Sequence, residues 1–153
     1  MKNYNPILSI FKIILTFCIL TFYVGCGTED STVDCMPRSN VNASYSLNLP
    51  QFVNLNIDQR YVVLDADGTN GSRGIILFNT GSQIRAYDRN APHICPTANS
   101  TLVVVDDIII ECPEDGAQWM LRSGEPLNTQ TNGRSPRQLY VERVGNDIFI
   151  TSN

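Results

Sequence analysis

From residue 61 onward the apolar residues fall in short, mostly β-branched runs at 61–64, 75–78, 84–87, 102–105, 108–110, 139–141 and 148–150, with polar or turn-forming residues between them. Runs this short suit strands, and no segment shows the three-to-four-residue apolar spacing of an amphipathic helix, so the pattern predicts an all-β chain. Asn79-Thr80-Gly81-Ser82, Asp106-Asp107 and Gly145-Asn146-Asp147 join neighbouring runs closely enough to force hairpins and antiparallel pairing. Ile75, Ile76, Leu77 and Phe78 are apolar without alternation, which predicts a strand covered on both faces, as in a β-sandwich.

The beginning of the chain differs. Lys2 and Lys12 precede an apolar stretch over residues 13–24 and then Gly25-Cys26-Gly27, the pattern of a secretory signal that ends in a lipoprotein box, with Cys26 as the acylated residue after cleavage. About 12 apolar residues at 1.5 Å each reach about 18 Å, short of the ~30 Å hydrocarbon core, which argues against a spanning anchor. Residues 27–44 are polar and aperiodic, and predict a tether that would hold the domain about 25 Å from the lipid. The expected organisation is a signal peptide over 1–25, a flexible tether over 26–44 and one domain over 45–153.

Charge narrows the function. Both lysines lie in the leader, so the remainder carries nine arginines against all fifteen acids, a balance of −6 that does not favour nucleic acid or an anionic bilayer. The mature part has no lysine, which removes Schiff-base chemistry and a lysine base. His93 is the only histidine and lies between prolines at 92 and 96, more in keeping with a rigid loop than with a catalytic strand end. Asp65-Ala66-Asp67-Gly68-Thr69-Asn70-Gly71 begins like a calcium loop but has Ile76 where the terminal glutamate should stand, and reads as a solvated hairpin loop.

Two loops carry a family resemblance. Ala91-Pro92-His93-Ile94-Cys95-Pro96 and Cys112-Pro113-Glu114-Asp115-Gly116, followed by Trp119 and Ser123-Gly124-Glu125, resemble the cluster loops of a Rieske iron–sulfur protein. Ala86-Tyr87-Asp88-Arg89-Asn90 is similar to the strand that delivers the first of these loops, and Leu47-Asn48-Leu49-Pro50-Gln51-Phe52 to the start of the domain in Rieske-like lipoproteins of flavobacteria-type bacteria. The resemblance covers residues 45–152 and implies a Rieske-like β-sandwich with a small loop-bearing subdomain at about 88–121, Trp119 packing beneath the second loop.

A Rieske centre uses a Cys-x-His and a Cys-x-x-His loop. Laid on that pattern, His93 and Cys112 survive, whereas Ala91 replaces a thiolate and Asp115 an imidazole. An alanine methyl has no donor atom, so the resemblance implies a scaffold without its cluster. The leading expectation is a non-enzymatic cell-envelope lipoprotein with a structural or interaction role, with no cofactor. Its membrane contact would be the lipid on Cys26, its location the outer membrane, and its partner an envelope protein that the sequence does not name. No enzyme is expected, since a Rieske oxygenase resembles this chain in only one of its domains.

Three alternatives stay open at the loops. A disulfide between Cys95 and Cys112 would brace the two tips the resemblance brings together, leaving Cys35 free or paired with one of those two instead. A single metal ion could use His93, Cys95, Cys112 and Asp115 as a mixed nitrogen, sulfur and oxygen set. An electron carrier could retain a [2Fe-2S] cluster through atypical ligands that include His93 and Cys112.

Overall fold

A computed structural model describes residues 32–37 and 39–152; the signal segment and Cys26 lie outside the described residues. The fold is all-β, with every strand pair antiparallel. The strands are β1 (Asn42–Ser46), β2 (Tyr61–Leu64), β3 (Ile75–Asn79), β4 (Ile84–Asp88), β5 (Val103–Val105), β6 (Ile109–Cys112), β7 (Ala117–Met120), β8 (Gln138–Val144) and β9 (Asp147–Thr151). Six form one sheet in the order β1-β9-β8-β4-β3-β2, and β5-β6-β7 form a second.

The three expected hairpins link β3 to β4, β5 to β6 and β8 to β9. Asp106 and Asp107 both take positive φ, 53° and 62°, the two-residue turn whose twist matches that of the strands it joins. Two strands outside the predicted runs, β1 and β7, complete the sheets.

β3 explains why two layers form. All of its residues are buried, and because successive side chains point to opposite faces, Ile75 and Leu77 enter one core while Ile76 and Phe78 enter another. The first core lies inside the curl of the large sheet, where Leu77, Ala86 and Leu139 meet Ile148 and Ile150 under a 3-10 helix, Pro50–Asn56, that contributes Phe52 and Leu55. The second core lies on the outer face, where Ile76, Phe78 and Tyr87 pack against Leu102, Ile110, Trp119 and Leu121 of the smaller layer.

The expected tether is corrected over its described part. Val41 and Leu47 belong to the first core with Tyr45 packed against it, Ala43 is buried in the same alternation, and β1 pairs with β9 along its whole length. Further upstream the Val33 N–H donates to the Pro92 carbonyl at 2.9 Å and Met36 is buried. The domain thus takes in residues assigned to the tether, because a strand of small and polar residues gains its backbone partners only from a distant strand.

Candidate functional site

The two loops close over the second core. The first leaves β4 at Asp88, whose Oδ1 accepts from the Asn90 N–H at 2.9 Å and from Asn90 Nδ2 at 2.7 Å, while Arg89 Nε donates to the Leu102 carbonyl. These bonds fix the backbone just before Ala91, which is buried with its methyl among the apolar residues of the core. The second loop is a tight turn from β6 to β7, closed by the Gly116 N–H on the Cys112 carbonyl at 2.9 Å. Gly116 has a φ of 72°, which favours a residue without Cβ. Thr97 Oγ1 donates to Glu114 Oε2 at 2.9 Å and ties the loops together.

At their meeting point stand His93, Cys112 and Asp115, with one potential ligand atom from each lying within 4.8 Å of the others. His93 has a fully buried side chain, its ring edge-on to Trp119 with centroids 5.3 Å apart. Trp119 is itself buried, as expected, and is fixed by its Nε1 N–H on the Arg134 carbonyl at 2.6 Å. His93 Nε2 lies 2.7 Å from Asp115 Oδ2, and the other oxygen of that carboxylate accepts the Ala117 N–H at 3.1 Å.

The carboxyl of Asp115 is held below its ordinary range: burial would raise it, but the hydrogen bonds from His93 and Ala117 outweigh burial. An ionised carboxylate only accepts, so Nε2 carries the proton of the short contact. Nδ1 is then the odd atom, buried with no hydrogen-bond partner among the described residues. Cys112 is fully buried, and burial followed by the negative charge of Asp115 pushes its thiol up to about 11. At neutral pH it is a protonated thiol and not a poised nucleophile.

The Cys95 to Cys112 pairing is corrected. Cys95 is bonded to Cys35, with Cα atoms 5.5 Å apart, and Cys112 is a free, buried thiol. The Val33 to Pro92 contact lays the N-terminal segment along the first loop, so Cys35 meets Cys95 at the exposed rim while Cys112 faces inward. The four-residue metal set is corrected with it, because the sulfur of Cys95 is committed to the disulfide. Asp115 is exposed, as read from sequence, and its carboxylate is at the same time the partner of a buried imidazole. The calcium-like loop is closed by its own residues: Asp67 Oδ1 accepts the N–H groups of Thr69 and Asn70 and the Thr69 hydroxyl.

No family model matches the chain, and no curated protein does. Among solved structures the chain is similar to the ferredoxin of carbazole 1,9a-dioxygenase from Nocardioides aromaticivorans IC177, at 17% identity over 74% of this chain and 99% of that one, with a TM-score of 0.47. It is similar to the apo form of the quaternary ammonium Rieske monooxygenase CntA, at 18% identity over 75% of this chain and 33% of that one, with a TM-score of 0.48, and so spans about a third of that enzyme. A ferredoxin in complex with the oxygenase of carbazole 1,9a-dioxygenase is 13% identical over 76% of this chain and 96% of that one, with a TM-score of 0.44.

Proposed function

We propose that this chain is a non-enzymatic Rieske-like module of the bacterial cell envelope, anchored through a lipid on Cys26, whose loop pair serves a structural or interaction role without a [2Fe-2S] cluster. The observation that carries the reading is the donor count. A Rieske cluster takes four protein donors, two thiolates on one iron and two imidazoles on the other. Here Ala91 offers none, the sulfur of Cys95 is held by Cys35, and one thiol and one imidazole remain beside a carboxylate already bonded to that imidazole. The residues present do not fit a two-iron, two-sulfide group.

Protein contacts do the bracing that a cluster would otherwise supply. The disulfide ties the first loop to the N-terminal segment, His93 and Asp115 join the two loops at depth, and Thr97 with Glu114 joins them at the rim. The buried Cys112 thiol, pushed up to about 11, is protonated at neutral pH and not a ready nucleophile, which supports a role outside catalysis.

Electron paramagnetic resonance on anaerobically purified, chemically reduced protein tests the reading. The expected result is colourless protein with no signal. A rhombic signal in stoichiometric amount would replace the reading with that of an electron carrier.

A further inference from the structure

We propose that His93, Cys112 and Asp115 form a binding site for a single thiophilic divalent cation of the zinc class. The inference rests on the loops being free of a two-iron cluster. Its ligands are Nδ1 of His93 and Sγ of Cys112. Asp115 is the positioning residue that fixes the imidazole from Nε2, and solvent entering at its exposed edge completes the coordination.

Three observations converge. The three side chains gather at one point, a donor atom of each lying within 4.8 Å of the others; donor-to-donor edges in a tetrahedral zinc site are about 3.5 Å, so a small contraction brings them into the range of such a site. The buried Nδ1 of His93 has no hydrogen-bond partner among the described residues, while Nε2 is engaged by a carboxylate. Metal-bound histidines characteristically donate their other N–H to a carboxylate, which fixes the tautomer and leaves the free lone pair aimed at the metal. A buried ring with one nitrogen satisfied by Asp115 and the other by nothing has that form.

Charge supplies the third. A thiolate on Cys112 and the carboxylate of Asp115 balance a divalent ion, so the loaded site is neutral in a setting where an uncompensated charge is costly. Loading exchanges the Cys112 S–H bond for a sulfur–metal bond and releases one proton to solvent for each ion bound. Soft sulfur with imidazole selects zinc over magnesium or calcium.

Titration of the full chain, disulfide intact, with cobalt(II) as a spectroscopic stand-in for zinc tests this, followed by displacement with zinc. The expected result is thiolate-to-cobalt charge-transfer absorption saturating at one ion per chain, removed by excess zinc, with release of about one proton per ion in weakly buffered solution. Cys112→Ser and His93→Gln lose the absorption, and Asp115→Asn keeps it with affinity lowered about 10–100-fold. Circular dichroism on each variant separates loss of a ligand from loss of the fold. Folded wild-type protein that shows no thiolate band overturns the inference, as does a band that survives in Cys112→Ser. Two acid-labile sulfides per chain in the same preparation would instead overturn the cluster-free reading on which it rests.

Discussion

On one face of β3, Ile75 and Leu77 enter a core whose buried neighbours are all aliphatic or aromatic; on the other, Ile76 and Phe78 meet a cluster that includes the Cys112 thiol and the Ala91 methyl, with the His93 imidazole against Trp119. The first core is enclosed by one continuous curled sheet and needs no cross-link. The second is roofed by strands of three or four residues and two loops, too little regular backbone to hold itself, and it is there that the disulfide and the buried polar pair are found. The difference teaches that the loop layer is held by specific bonds and the sheet interior by packing. Chemistry that acts on bonds should therefore separate the two.

The largest expected effect comes from the disulfide. Cys35 and Cys95 close a loop of 60 residues, for which the chain-entropy model gives about 4 kcal/mol. Replacing both by serine should lower the urea midpoint by a corresponding amount and loosen the first loop before the sheet. Hydrogen exchange should show β5, β6 and β7 losing protection while β3 and β9 keep theirs; uniform loss would mean the two layers are not distinct.

Next is Leu77→Ala in the sheet core. It removes a fully buried side chain and should cost about 3 kcal/mol in denaturant unfolding. The loops should be unaffected in the native state, so the reactivity of Cys112 toward a thiol reagent should rise only as far as global unfolding allows.

Alkaline pH addresses the second core. The folded-state value of Cys112 is raised from 9.0 to about 11, so its contribution is fully present below pH 9 and is lost as pH rises toward 11. The loss should be about 3 kcal/mol. Cys112→Ala should flatten that part of the stability profile, and an unchanged slope would place the thiol in water.

The smallest effect is acidic. Because the carboxyl of Asp115 is held below its ordinary range, the contact with His93 contributes above a pH of about 4 and fades as pH falls further. Partial exposure limits it to about 1 kcal/mol. Asp115→Asn should remove this acid dependence and weaken the alkaline one without abolishing it, because burial as well as the Asp115 charge raises the Cys112 thiol.

Seven of the strands and three hairpin pairings were legible because β-branched runs and turn residues act locally. Ile75 to Phe78 declared a doubly covered strand by lacking alternation, and the Asp106-Asp107 turn fixed its hairpin. β1 escaped notice although Val41, Ala43, Tyr45 and Leu47 alternate, since the residues between them are small and polar and the strand exists only by pairing with β9. Ala117, Trp119 and Leu121 carried the same signal for β7.

At the site, the resemblance singled out Ala91, His93, Cys112 and Asp115, and the structure brings the last three together. Disulfide connectivity could not be read, because it depends on where a distant segment returns. Nor could the hydrogen bond that joins His93 to Asp115 across 22 positions, or the orphaned Nδ1 it leaves behind.

Whether the proposed cluster-free scaffold is right is decided by the iron and acid-labile sulfide content of protein extracted anaerobically from the cells that make it. No sulfide and no stoichiometric iron are expected. Two irons and two sulfides per chain would contradict it.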